Sequence, residues 1–263
     1  MKRLVGMGCL LLSASAAFAG TIGDVSDIPS VKAQKDKDLT GFLGIAGLQR
    51  PEYVGGNDTQ TSLVPLISVD YKDTAYFKLN RAGVWFWKPE DTGLRFGALL
   101  KPRRGWRRND GDRLANMDTR GDSIEAGLNV AWQYQRFQTE AGYLTDISST
   151  SDGDSAFVNL RYALVQSPKW QLMGQVGFEY LDSDTADYYF GVQPSEAAPG
   201  RPAYSPNGEW NTSAGLVATY IINDSWLVMG GAVYTKLGDE LKDSPIVEDS
   251  SYTTLFGGVA WRF

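Results

Sequence analysis

Over much of its length this chain alternates apolar and polar or small residues. From Ser123 to Tyr134, one parity carries Ile124, Ala126, Leu128, Val130, Trp132 and Tyr134. The other carries Glu125, Gly127, Asn129, Ala131 and Gln133. A helix would scatter both sets around its axis, whereas a strand separates them onto two faces. The same alternation recurs at 94–101, 137–143, 157–164 and 170–180. These segments are about ten residues long, the length of a tilted strand crossing a bilayer. After residue 19 no apolar run is long enough to cross a membrane as a helix.

Alternation alone does not separate a soluble sandwich from a membrane barrel. In the sandwich the apolar face meets a second sheet, and in the barrel it meets lipid while the polar face lines a lumen. Three features favour the barrel. Aromatics crowd the strand ends, as with Trp132 and Tyr134, Trp170 and Tyr180, and Trp226 and Tyr234. Small residues, mostly glycine, recur on the polar faces, where a narrow lumen leaves little room. Glycine is also frequent inside the strands, where a barrel wall bends.

Turn chemistry divides the strands. Short connections fall at 134–136, 166–169 and 223–225, and longer polar ones at 51–61, 105–121, 148–154, 182–209 and 238–250. In the second half of the chain short and long alternate, the asymmetry between periplasmic turns and extracellular loops of outer-membrane barrels. Strands are expected at 39–49, 62–72, 93–104, 121–134, 137–147, 154–165, 169–181, 210–222 and 225–237, with a final strand ending at Phe263. Residues 74–88 form one strand or two, the latter split at Asn80-Arg81-Ala82-Gly83. A periplasmic N-terminus requires an even number. The expected fold is therefore all-β, a closed antiparallel transmembrane β-barrel of about 12 strands, with 10 the alternative.

The two ends refine this picture. Lys2 and Arg3, the apolar run 4–17 and Ala17-Phe18-Ala19 have the order of a secretory signal peptide, with cleavage expected near Ala19. Cys9 sits within that apolar run after Gly6-Met7-Gly8, a poor lipoprotein site, so no lipid anchor is expected. Residues 20–38 are too polar to pack and are expected to form a periplasmic tail, leaving 39–263 as the barrel. Phe263, Trp261, Val259, Gly257 and Leu255 share one parity, a terminal strand ending on an aromatic, as outer-membrane assembly machinery reads it. Together these place the protein in the outer membrane of a Gram-negative bacterium.

Charge and chemistry then narrow function. The formal net charge is −6, and loss of Lys2 and Arg3 makes it more negative, which argues against a nucleic-acid partner. There is no histidine in 263 residues, so Ser-His-Asp and Cys-His catalysis and the usual transition-metal ligand are excluded. Neither a cofactor nor a metal site is expected. Glu125 and Glu140 could form an acid–base pair if they lay close together, but a charged lumen lining of Arg95, Lys101, Glu125, Glu140, Arg161 and Glu179 is the simpler reading. Asp182, Asp184 and Asp187 lack the glycine turn and distal glutamate of a calcium loop. Arg103, Arg104, Arg107, Arg108 and Arg113 cluster around Trp106. They are read either as a rim contacting outer-membrane lipid and lipopolysaccharide phosphates or as a loop paired with Asp110, Asp112 and Asp118.

Three loop strings carry a resemblance. They are Pro51-Glu52-Tyr53-Val54-Gly55-Gly56-Asn57-Asp58; Tyr188 to Ala197 continuing to Gly200-Arg201-Pro202-Ala203-Tyr204; and Gly238-Asp239 followed by Asp243-Ser244-Pro245-Ile246-Val247. With the terminal Trp261-Arg262-Phe263, the chain resembles the MipA/OmpV family of MltA-interacting proteins. The basic stretch 103–108 departs from the more acidic loop expected there. The resemblance implies a non-enzymatic scaffold that brings a lytic transglycosylase together with a penicillin-binding protein in peptidoglycan growth, and it supplies no catalytic residues. The alternatives are a narrow small-solute channel, suggested by the charged lumen, and a surface adhesin built on the 182–209 loop.

Overall fold

The computed structural model describes residues 38–263, so the expected leader and nearly all of the polar tail lie outside the described residues. Twelve strands close into one antiparallel barrel. They are β1 (Leu39–Pro51), β2 (Thr59–Tyr71), β3 (Ala75–Lys78), β4 (Arg81–Trp87), β5 (Leu94–Arg103) and β6 (Ser123–Tyr134). Then follow β7 (Phe137–Asp146), β8 (Asp154–Gln166), β9 (Trp170–Leu181), β10 (Glu209–Ile221), β11 (Trp226–Lys236) and β12 (Ser251–Arg262). Each strand pairs with its sequence neighbours, and β12 returns to β1 from Phe42↔Arg262 through Gln49↔Leu255. Closure is what a bilayer demands, because unpaired backbone groups in hydrocarbon cost several kcal/mol each.

The sign of the alternation settles the architecture. Leu128 is 64% exposed and Ile45 61%, while Glu125 and Asn129 are 2% and 4% exposed. The apolar parity faces outward and the charged parity inward, the reverse of a soluble sandwich. Aromatic pairs mark the end that carries the short turns, with Trp87 stacked on Phe96 and Trp170 tilted against Tyr220, both at 4.7 Å, and Trp261 stacked on Phe263 at 5.3 Å. At the other end Tyr180 packs on Trp210 at 5.3 Å.

The wall is uneven at β3 and β4. The ambiguous segment does split, but the turn is Leu79-Asn80, directly between Lys78 and Arg81, rather than 80–83. Both turn residues are buried. β2 pairs with β3 only from Ser68↔Lys78 to Tyr71↔Ala75, and β4 pairs with β5 only as far up as Ala82↔Leu100. Above that hairpin, β2 and β5 have no strand between them. Proline suits such an edge because it has no N–H to leave unpaired. Pro65 shares the parity of Ile67, whose carbonyl accepts from Leu79 N–H across this side of β2. Pro102 stands two residues past the last β4 pairing.

The long connections are not simple polar loops. Two helices, α1 (Ser183–Phe190) and α2 (Asp239–Lys242), lie in them. Asp182, one of the acidic residues weighed for calcium, caps α1 by accepting from Thr185 N–H at 2.9 Å. Tyr53, Trp106, Leu114, Met117, Val192 and Ile246 from four loops form one buried cluster, and α1 and α2 pack in a second with Leu181, Leu237 and Tyr252.

Candidate functional site

The lumen is layered. Highest, at the extracellular end, the loops form a cap. Trp106 Nε1–H donates to the Tyr189 carbonyl at 2.8 Å, Tyr53 O–H to that of Ile246 at 2.8 Å, and Ser244 O–H to that of Phe190 at 2.6 Å. Arg120 grips Glu196 through two bonds of 2.9 and 2.7 Å, and its guanidinium lies 5.1 Å over the Trp106 ring. Arg201 donates to the Arg113 and Ala115 carbonyls at 2.6 and 2.8 Å, tying two loops together. Burial by itself would raise the Glu196 carboxyl. The Arg120 guanidinium and the N–H groups of Asp118 and Gln193 outweigh it and hold the carboxyl below the usual range. Burial pushes the Tyr189 hydroxyl up to about 12.

Below the cap lies a layer of buried charge. Arg103 Nε lies 2.6 Å from Glu125 Oε1 and its NH2 lies 3.1 Å from Glu179 Oε1, which also takes Lys101 at 3.4 Å. A second layer sits beneath. Arg81 binds Glu140 through two nitrogens at 3.2 and 3.1 Å, and Asn129 Nδ2 adds a bond to Glu140 at 2.8 Å. Two-point guanidinium–carboxylate contacts fix geometry as well as charge. Arg161 is buried near this level.

Beneath the second layer the barrel widens into a vestibule of about 1120 Å³, bounded by Arg81, Glu140 and Arg161 above. Asp38, Gln133, Asp224 and Phe263 line it at the end of the short turns, so it opens to the periplasm. At that mouth Arg95 pairs with Asp73 at 2.6 Å and Lys88 with the same carboxylate at 3.5 Å.

Each expected site residue thus has a place. Glu125, Glu140, Arg161 and Glu179 are buried inside the barrel, Lys101 is nearly so, and Arg95 stands at the mouth. Arg103 departs from the rim expectation. Its inward parity on β5 carries it into the lumen, where two carboxylates compensate its charge. Arg107 and Arg108 are exposed and Arg104 half-buried. The two carboxylates weighed for catalysis do not meet. Glu140 pairs with Ala131 on β6, six residues from Glu125, or about 20 Å along the strand. Glycosidase-type carboxylate pairs stand at most about 9.5 Å apart. Sequence reasoning missed Arg81, Arg120 and Glu196. Arg81 lay inside the suspected turn, and the other two pair across 76 residues with no local signal.

The model of the family described as MltA-interacting protein MipA matches residues 43–263. The MltA-interacting protein of Escherichia coli (strain K12) is 31% identical over 216 residues, covering 78% of this chain and 84% of that one. YiaT of the same strain, described as an outer membrane protein, is 29% identical over 240 residues, covering 90% and 95%. The outer membrane protein OmpV of Vibrio cholerae is 29% identical over 150 residues, covering 57% and 58%.

Proposed function

This chain belongs to the MltA-interacting protein family and is a β-barrel protein of the outer membrane, and on that footing we propose that it is a non-enzymatic scaffold. Its working face is the periplasmic one. The partner is a lytic transglycosylase, the enzyme class that the name of the 31% identical relative points to. A penicillin-binding synthase joins through the same assembly. The observation that carries this reading is the one-sidedness of the lumen. Loops and two charge layers fill its extracellular half, and about 1120 Å³ stands open to the periplasm. A large cleft with convergent polar groups and flanking aromatics is the usual form of a recognition site. The absence of histidine and the separation of Glu125 from Glu140 support a role without catalysis.

The test is site-specific crosslinking in intact envelopes. A photoreactive residue at Gln133 or Asp224, on the vestibule rim, is expected to capture a lytic transglycosylase, and the same group at Arg108 in an extracellular loop is not. Capture at neither rim position, with the barrel correctly inserted, refutes the scaffold reading.

The channel alternative meets the same geometry. An ion crossing the lumen would have to break Arg81–Glu140 and Arg103–Glu125 and then displace the cap. Purified protein in planar bilayers is expected to stay silent at moderate voltages. The adhesin alternative gains no separate support, because Tyr189, Phe190 and Val192 of the 182–209 loop are buried in the cap.

A further inference from the structure

One buried cation is left without a counter-charge. Arg50, at the top of β1, points inward and is 6% exposed. Its Nε has no hydrogen-bond partner, and among the described residues no carboxylate lies within ion-pair distance of its guanidinium. Beside it stands a second arginine. Arg104, just past β5, lines the same cavity of about 50 Å³. It too pairs with no acid. Gln60, with its amide oxygen turned toward it, accepts from its two terminal nitrogens at 3.2 and 3.1 Å, but that group is neutral. Glu179 also lines the cavity, yet it is held by Arg103 and Lys101. Asp110 and Asp122 add attraction from a distance, but neither forms an ion pair with Arg50 or Arg104; Asp110 accepts from Arg107 N–H at 2.9 Å and Asp122 from Gly105 N–H at 2.8 Å.

Two adjacent guanidinium groups, one buried, raise each other's cost of charging. Arginine cannot relieve this by losing its proton. Elsewhere in the lumen this protein meets the same problem with a carboxylate, as at Arg81 and Arg103. Here no carboxylate of the described residues reaches ion-pair distance. The cavity holds several times the space of one water, enough for a small anionic group. Guanidinium forks match phosphate oxygens in shape as well as charge.

The direction of approach identifies the source. Arg104 and Gln60 close the top of the wall where β2 and β5 lack an intervening strand, above the buried Leu79-Asn80 turn. On the outer face of that stretch Leu63 is 82% exposed, toward lipid. We propose that Arg50 and Arg104 form a phosphate site, filled sideways through this gap by the headgroup of a phosphorylated glycolipid of the outer leaflet. The lipid charge then stands where Arg81, Arg103 and Arg120 have a glutamate. This site is separate from the periplasmic vestibule and stands or falls independently of the scaffold reading.

The test uses the full chain, purified in detergent and stripped of lipid. Thermal stability is followed while titrating phosphorylated lipid A, the same glycolipid with its phosphates removed, or inorganic phosphate. Phosphorylated lipid A is expected to raise the midpoint saturably and the dephosphorylated form not to. R104Q, at a half-exposed position, is expected to fold normally and to bind phosphorylated lipid A at least tenfold more weakly. R50Q, if it folds, is expected to be no less stable than the parent in lipid-free detergent, because it removes an uncompensated charge. Equal shifts with both glycolipids, or unchanged binding by R104Q, overturns the proposal. Inorganic phosphate matching the lipid at equal concentration overturns the membrane source.

Discussion

Arg103 Nε lies 2.6 Å from Glu125 Oε1, joining neighbouring strands at the Arg103↔Ser123 end of their register. Its second contact reaches Glu179 on β9, across the lumen. One guanidinium therefore braces opposite walls of the barrel. Replacing Arg103 with Met strands two buried carboxylates, though Lys101 still reaches Glu179 at 3.4 Å. Removing one partner of a buried pair costs about 3–5 kcal/mol, and the remaining lysine argues for the lower end. Reversible denaturant unfolding in detergent or lipid should show this loss. The double variant R103M/E125Q should recover part of it, and full stability in R103M alone would contradict the bracing role.

Leu128 sits mid-strand on β6 with 64% of its surface exposed. On a soluble protein, Leu→Arg at such a site would change stability by less than about 0.5 kcal/mol. Facing hydrocarbon near the midplane, L128R should cost about 2–4 kcal/mol. Unfolding from lipid vesicles distinguishes the two, and a neutral effect would remove Leu128 from the lipid face.

The β1–β12 seam is a close approach of backbones. A Cβ on Gly44 would strike the Val259 carbonyl oxygen and Ala260. G44V is expected to destabilise the closed barrel by on the order of 1–3 kcal/mol or more. The heat-resistant folded band on cold electrophoresis should weaken or vanish in this variant. The corresponding change at Gly257, where an added Cβ meets nothing within 4 Å, should be far milder.

Acid should loosen the extracellular cap. The Glu196 carboxyl is held below its ordinary value, so its contribution is present above the unfolded carboxylate pKa and is lost as pH falls through the folded value. Hydrogen exchange at 105–121 and 183–205 should therefore rise below about pH 4, while the strands stay protected. In E196Q the acid-dependent rise should largely disappear, with exchange already elevated at neutral pH.

The barrel wall was legible because its driving force is local. Period-two alternation at Ile124, Leu128 and Trp132 places each strand's face, and the even number of crossings follows from the ends. The break at Leu79-Asn80 was legible only to within a residue or two, because Arg81 and Gly83 both carry turn chemistry. The interior was legible as charge but not as pairing. Arg103 continues the inward parity of Lys101 at the end of its strand, but Glu179 lies 76 residues away and nothing in the sequence names it as the partner. The cap escaped because Leu114, Met117, Val192 and Ile246 are single apolar residues in polar loops without any period. They become a core only when four loops meet.

The most direct test of a barrel sealed outside and open to the periplasm is sided thiol labelling. The sole cysteine of the sequence is Cys9, so residues 38–263 contain none and an introduced thiol can be followed alone. Q138C lines the vestibule, and R108C stands in an extracellular loop. A membrane-impermeant maleimide added to intact cells is expected to label R108C and spare Q138C, and Q138C should react once the periplasm is opened. Labelling of Q138C from outside intact cells would mean a continuous path through the lumen and would contradict the account.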